Sequence, residues 1–454
     1  VDLQCVLEVS VGQELGQMRA VPVWLDREGP PALLLVYGAD AEDDPYHEMF
    51  FFPRDTLKLM LISADGHRLW HRDLGPGVVP GVWFCPVFPF DLNGDGVEEV
   101  WLVANTDADH PLGLSNYRLE RTDSRTGQVT GQWQWPRFNT DETMSHMFRN
   151  FILGGTCDGE AVLVTAQGTY EAMHLMGWSR GLEPRWQLNV AADEPGARGS
   201  HMCPLVDLDS DGDQEVMWGE RCIALDDGHE RFCADRRHYR GHSDVVQPVW
   251  DHEGGRWVVY TCRESDPEAS PRVALYDNRG RRIWGAVEEG HMDMGWVARL
   301  GEGGRPVAMA IRIGHKTAGP AGFTREGVEE FVFDALTGEP LELGFSVYRT
   351  VPVDLDGDGR HELVRGLHGA NGEVLDADGD QVGSIEGQVA MVGRFLDRPG
   401  EQILAYSPDG TVRVYADASA RDSDAAMRRY EHPLYRANQR LSATGYNISV
   451  LGGL

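Results

Sequence analysis

Three stretches of the chain can be laid over one another: FPFDLNGDGVEEVWLVA from residue 88, LVDLDSDGDQEVMWG from 205 and VPVDLDGDGRHELVRG from 351. Each is an apolar run, an acidic turn and a second apolar run, the pattern of a β-hairpin. Five further copies keep both runs around a plainer turn: VPVWLDREGPPALLLVYG from 21, FILGGTCDGEAVLVTAQG from 151, VVQPVWDHEGGRWVVYT from 245, WVARLGEGGRPVAMAIR from 296 and VAMVGRFLDRPGEQILAY from 389. A second hairpin with an Asp or Gly turn follows each, as in LMLISADGHRLWHRDL and VALYDNRGRRIW, and helical periodicity is nearly absent. Two hairpins make a four-stranded sheet, and its return at intervals of about 40 to 65 residues is the signature of a propeller.

The fold expected is therefore all-β, an eight-bladed β-propeller of four-stranded blades, with seven blades as the alternative if a terminal repeat only closes the ring. Inner strands are expected to start near residues 21, 84, 149, 202, 245, 294, 350 and 389. Residues 1–454 form one domain in this reading, with the N- and C-terminal segments closing the ring.

Hydrophobic residues at 41% and charged ones at 25% suit a large packed core and exclude a disordered chain. No apolar run is long enough to span a membrane, and the opening VDLQCVLEVS lacks a basic segment followed by an apolar one. The chain does not start with Met, which fits a leader removed from a secreted or periplasmic protein. Against 41 Lys and Arg stand 72 Asp and Glu, a net charge of -31 that argues against nucleic acid as a partner. Nearly every positive charge is Arg, since Lys occurs only at Lys58 and Lys316. The seven cysteines form no CxxC pair.

In the acidic turns, oxygen-bearing side chains recur at alternate positions beside a turn glycine. Asp91, Asn93, Asp95 and Glu99 form one set, Asp207, Asp209, Asp211 and Glu215 a second, and Asp354, Asp356, Asp358 and Glu362 a third. Hard oxygen ligands at this spacing suit Ca2+, in a role that stiffens hairpins. These turns join the first strand of a blade to the second, so they share one face of the disc. The starts of first strands and the ends of second strands share the other. His146, Arg149, His201, His242, His291, Tyr348 and Arg349 fall at strand starts on that opposite face, and Lys316 beside His315 at a strand end. Insertions such as GADAEDDPYHEMFFFPRD and IGHKTAGPAGFTREG also fall there and can wall a cleft.

The three DxDxDG hairpins, the GHSD and GHMD strand starts at 241 and 290, and the C-terminal YRANQRLSATGYN together resemble the calcium-rich propeller lyases, chiefly rhamnogalacturonan lyases and the related ulvan lyases. The resemblance implies β-elimination on an acidic polysaccharide or oligosaccharide in which rhamnose alternates with a uronic acid; the protein is expected to be a monomer with neither membrane nor nucleic acid as a partner. Elimination suits the residue types independently. The C5 proton becomes acidic once the adjacent carboxylate is neutralised, a base removes it, and an acid protonates the leaving oxygen on C4. Arg149 and Arg349 are candidate neutralisers, His201, His242 and His291 candidate bases or carboxylate partners, and Tyr348 a candidate acid or base. A rhamnosidase-type propeller hydrolase and a non-catalytic, calcium-dependent carbohydrate- or protein-binding propeller are the alternatives. ALYDNRGRRIW also echoes the tryptophan repeats of quinoprotein dehydrogenases, although the adjacent cysteine pair is missing.

Overall fold

The strand-forming runs are apolar on both sides of the pleat, and the ring geometry explains why. In Ala32–Gly38, Leu33 and Leu35 pack with Met391 and Leu404 of the preceding blade, while Leu34 and Val36 pack with Val87 and Leu102 of the following one. Successive side chains of a strand point to opposite faces. A sheet wedged between two others therefore buries both, and its sequence reads as a continuous apolar run.

The structure is a computed structural model that describes residues 1–27, 29–137, 143–265, 269–319 and 322–454. Eight sheets follow one another around a ring, and within each the chain runs antiparallel from strand to neighbouring strand. Their innermost strands are Gln17–Val23, Val87–Phe90, Asn150–Cys157, Leu205–Val206, His242–Asp251, His291–Arg299, Thr350–Val353 and Gln388–Gly393. All eight starts lie within a few residues of the positions expected from the hairpin spacing, and the count is eight. Blade six departs from the four-stranded plan. Its sheet has three strands, and a separate hairpin, His315–Gly319 with Gly322–Glu326, is inserted after the second.

The ring is closed by the N-terminal strand Leu3–Ser10, which pairs with Thr411–Asp417 as the outermost strand of blade eight. The C-terminal segment lies elsewhere, along the axis. Asn438 exchanges hydrogen bonds with the Leu205 backbone at 2.8 and 2.9 Å, Arg19 donates to Ala443 O at 2.8 Å, and Gln247 donates to Ser449 O at 3.0 Å. Residues from blades one, four and five thus bind one plug. Among the described residues no helix is long and apolar enough to cross a membrane.

Neighbouring blades are also latched at the rim. Trp70, Trp186 and Trp284, on outer strands, each donate their indole N–H to a backbone carbonyl of the next blade: Ser124 at 2.7 Å, Leu225 at 2.8 Å and Ala335 at 3.0 Å. The rings rest on turn glycines of that blade. Gly228 and Gly338 have φ of 72° and 75°, and a Cβ at either would collide with the indole of Trp186 or Trp284. The tryptophans that echo a quinoprotein repeat are thus inter-blade latches. Replacing Gly228 with Ala combines an unfavourable positive φ with overpacking against Trp186, and should destabilise the protein by about 2 kcal/mol or more, read as a lowered midpoint in urea unfolding. An unchanged midpoint would show that the latch carries no stability.

Candidate active site

Both GHxD motifs open an inner strand at a bulge. The ladder between His242–Asp251 and Arg256–Ser265 shifts register at His242/Ser243 and again at Ser243/Val245, and the ladder of His291–Arg299 shifts between Met292 and Met294. A histidine and an aspartate two residues apart share a face of the strand, and the bulge re-aims both. His242 and Asp244, and His291 and Asp293, are thereby turned toward a common point on the face away from the acidic turns.

That point is the carboxylate of Glu264, at the end of the second strand of blade five. His242 Nε2 hydrogen-bonds to Glu264 Oε2, His201 Nε2 lies 3.3 Å from the same oxygen, and His291 Nε2 lies 3.0 Å from Oε1. His201 is also 3.2 Å from Asp244 Oδ1. Next to this cluster, Asp293 binds Lys316 Nζ at 2.8 Å and Arg325 Nε, both cations coming from the inserted hairpin of blade six. Lys316 also sits 5.0 Å over the ring of Phe323.

The charges of the cluster are set by this packing. Burial would raise the Glu264 pKa, but His242, His201 and His291 hold it well below the usual carboxylate range. Burial and the nearby charges of Glu264 and Asp293 push Asp244 well above that range. Burial pulls His201 down to about 4, so its imidazole is neutral at pH 7. His291 goes the other way. Burial lowers its pKa, but hydrogen bonds to Asp293 and Glu264 more than reverse this and carry it up to about 9, so it is cationic at pH 7.

The cluster forms one wall of a cavity of about 790 Å3. Its lining includes His201, His291, Lys316 and Arg325, and across the axis Arg19, Arg349, His368 and Gln388. Tyr46 and Glu48 come from the insertion of blade one, and Ser442 to Ser449 of the C-terminal segment contribute Gly445 and Tyr446 to the same lining. Tyr170, at a φ of 85° that few non-glycine residues adopt, lines the cavity with its ring edge-on to His242 at 4.0 Å. The insertion of blade six was expected to wall the cleft, and its described residues do; Pro320 and Ala321 lie outside the described residues.

The structure brings His201, His242, His291 and Lys316 together and seats Arg349 on the far side of the same cavity. Arg149 is 1% exposed beneath it, 2.8 Å from Asp44 and stacked at 4.8 and 5.0 Å on Trp83 and Tyr170. His146 is buried 3.7 Å from Glu171. Tyr348 stacks under Arg349 at 4.8 Å and joins the apolar cluster between blades six and seven. None of these three lines the cavity, nor does the buried His242. Glu264 and Arg325 escaped the sequence reading. Glu264 lies near the end of the second strand of blade five, outside any motif, and Arg325 lies nine residues after Lys316 in the insertion, so only pairing of the hairpin strands, Lys316 opposite Arg325, makes them neighbours.

Two kinds of cluster have ligand geometry. In the cavity, ligand atoms of His201, His242, Asp244 and Glu264 lie within 4.8 Å of one another, as do those of Asp244, His291 and Asp293. On the opposite face, Asp207, Asp209 and Glu215 converge in the same way, and so do Asp354, Asp356 and Glu362. The three acidic turns differ in fit. At the third, burial together with Asp356 and Asp354 pushes Glu362 up to about 9, and although Arg429 holds Asp354 Oδ2 at 2.8 Å, Asp354 Oδ1 is buried without a hydrogen-bond partner. At the second, Arg231 lies 2.7 Å from Asp209 and 2.8 Å from Glu215, inside the set. At the first, Asn93 Nδ2 donates to Glu99 Oε1 at 2.6 Å while its Oδ1 accepts from Asp95 N at 2.8 Å.

No protein-family model matches the chain. Rhamnogalacturonan exolyase YesX of Bacillus subtilis (strain 168) is 23% identical over 312 residues, which are 61% of this chain and 49% of that protein. Rhamnogalacturonan endolyase YesW of the same organism is 25% identical over 280 residues, 53% of this chain and 44% of that protein. The chain spans about half the length of the curated relatives it matches. The crystal structure of exotype rhamnogalacturonan lyase YesX superposes with a TM-score of 0.76 at 18% identity, covering 99% of this chain and 80% of that one. That of YesW gives 0.73 at 17% identity, with the same coverage. These relatives in sequence and in structure are rhamnogalacturonan lyases, and the propeller is the fold that this chain shares with them.

Proposed function

We propose that this chain is a polysaccharide lyase that cleaves a rhamnose- and uronic acid-containing polysaccharide or oligosaccharide by β-elimination. The observation that carries the reading is the cationic wall of the cavity, where His291, Lys316 and Arg325 are held on buried Asp293 and Glu264 beside a neutral His201. A uronate carboxylate placed against this wall is neutralised, which acidifies the adjacent C5 proton. His201 takes that proton, the C4–O4 bond breaks as the C4–C5 double bond forms, and O4 leaves with a proton from Tyr170. Burial keeps the Tyr170 phenol protonated well above neutrality. Arg149, stacked under Tyr170, acts as a positioning residue, and Arg349 holds the far end of the sugar chain. The net charge of -31 does not oppose this, because charges beyond about 10 Å are screened at ordinary salt. Substrates of this kind lie outside cells, in keeping with a secreted or periplasmic protein.

Ca2+ is the ion proposed for the acidic turns, with Asp354, Asp356 and Glu362 the best-fitted set. When bound there it supplies positive charge to crowded carboxylates and stiffens the hairpin. Excess chelator should lower the melting temperature of the wild-type protein. Asp356→Asn should shrink that shift, and a melting curve indifferent to chelator and to added calcium would count against the assignment.

Incubated with rhamnogalacturonan, the protein should release unsaturated products absorbing in the ultraviolet. Reducing ends without that absorbance would identify a hydrolase instead. Lys316→Ala and His201→Ala should each lower kcat/KM about a hundredfold or more, with circular dichroism unchanged. Near-normal turnover in both would move the chemistry elsewhere.

The pH profile follows from the two imidazoles. The base must be neutral, so activity is lost as pH falls through about 4, the value for His201. The cationic wall needs His291 protonated, so activity declines as pH rises through about 9. A profile with its alkaline limb near 6.5, the ordinary histidine value, would show that His291 is not held by Asp293 and Glu264 in the working enzyme.

A further inference from the structure

Beyond Tyr170, on the same face as the cavity, lies a second hollow of about 410 Å3 lined by Tyr170, Glu171, Ala192, Asp193, Arg198 and Arg240. Arg198 is the unusual member. It is 2% exposed, yet among the described residues it forms no ion pair, and its Nη1 is buried without a hydrogen-bond partner. Its other terminal nitrogen donates to Ala192 O at 2.9 Å and to Glu194 O. Arg240 Nη2 donates to the same Ala192 carbonyl at 3.0 Å. Two guanidinium groups thus converge on one turn between blades three and four. Burial and the nearby charges of Arg221 and Arg240 lower the Arg198 pKa against the pull of Glu194.

A buried arginine without a carboxylate partner costs stability, and such costly groups cluster at functional sites. The backbone holds it in place. Arg198 N–H donates to Gly241 O at 2.8 Å and Tyr170 N–H to Arg198 O at 3.2 Å, which ties the arginine to the bulged GHSD strand start and to the residue that separates the two hollows.

We infer that Arg198 and Arg240 form an accessory subsite that binds the carboxylate of a second uronic acid, farther along the same sugar chain, while the first lies in the main cavity. Tyr170 belongs to both hollows, so a chain crossing its ring reaches from one to the other. The inference rests on the lyase reading for the identity of the ligand, and its consequence is a preference for longer oligosaccharides.

Calorimetry on the His201→Ala protein, which slows cleavage while keeping the carboxylate-binding wall, tests it with rhamnogalacturonan oligosaccharides of one and of three disaccharide repeats. Adding Arg240→Ala or Arg198→Gln should weaken binding of the longer oligosaccharide about tenfold or more and leave the shorter unchanged. Because Arg198 is an unpaired buried charge, Arg198→Gln should keep or raise the melting temperature; a fall would mark it as a structural residue and overturn the subsite. Equal binding of the longer ligand by parent and variants, equal weakening for both lengths, or no binding of either by the parent would also overturn it. If the wild-type protein forms no unsaturated product while the length-dependent loss is observed, the lyase reading fails and the subsite stands.

Discussion

Each sheet of this ring has two apolar faces and only its neighbours to bury them. That constraint governs the rest of the structure, because a face left uncovered at any point would expose a whole strand row. The N-terminal strand meets it by completing blade eight, and the tryptophan latches meet it at the rim, where each indole covers a turn of the following blade and satisfies its own N–H on that turn's backbone. At the centre, where the inner strands cannot reach across the axis, the C-terminal segment fills the space and takes up backbone hydrogen bonds from several blades.

The same plug links the two faces of the disc. Near its start, Arg429 is buried against Asp354 of the third acidic turn at 2.8 Å and Glu401 at 3.1 Å. Near its end, Tyr446 lines the cavity and its N–H donates to His201 O at 2.8 Å. Such a continuous segment ties the floor of the cavity to the third acidic turn on the opposite face of the disc.

Within the cavity, acidic and basic groups are partitioned rather than averaged. Glu264 and Asp293 are held below the usual carboxylate range by the cations around them, Asp244 is pushed above it by burial and by the same two carboxylates, and the imidazoles of His201 and His291 are driven in opposite directions. Equivalent residue types in repeated strand positions thus come to have different protonation states, because burial dominates at His201 while Asp293 and Glu264 outweigh it at His291.

The blade count, the inner-strand starts and the face that bears the site were legible because each depends on local alternation and turn chemistry, which a single hairpin carries within itself. The acidic turns and the GHxD starts were legible for the same reason. Which of the singled-out side chains face solvent was not. Arg149, His146 and Tyr348 share strand-start positions with His201 and His291, yet they are drawn under the floor by Asp44, Glu171 and a neighbouring core. Glu264 and Arg325 acquire their role only when separate strands place them beside three histidines and an aspartate. The sequence by itself determined the repeated sheet, since the period of its side chains and turns is a short-range property. Tertiary structure alone decided which charges meet, because proximity across a ring, and the burial that shifts a pKa there, arise only when all eight blades have closed.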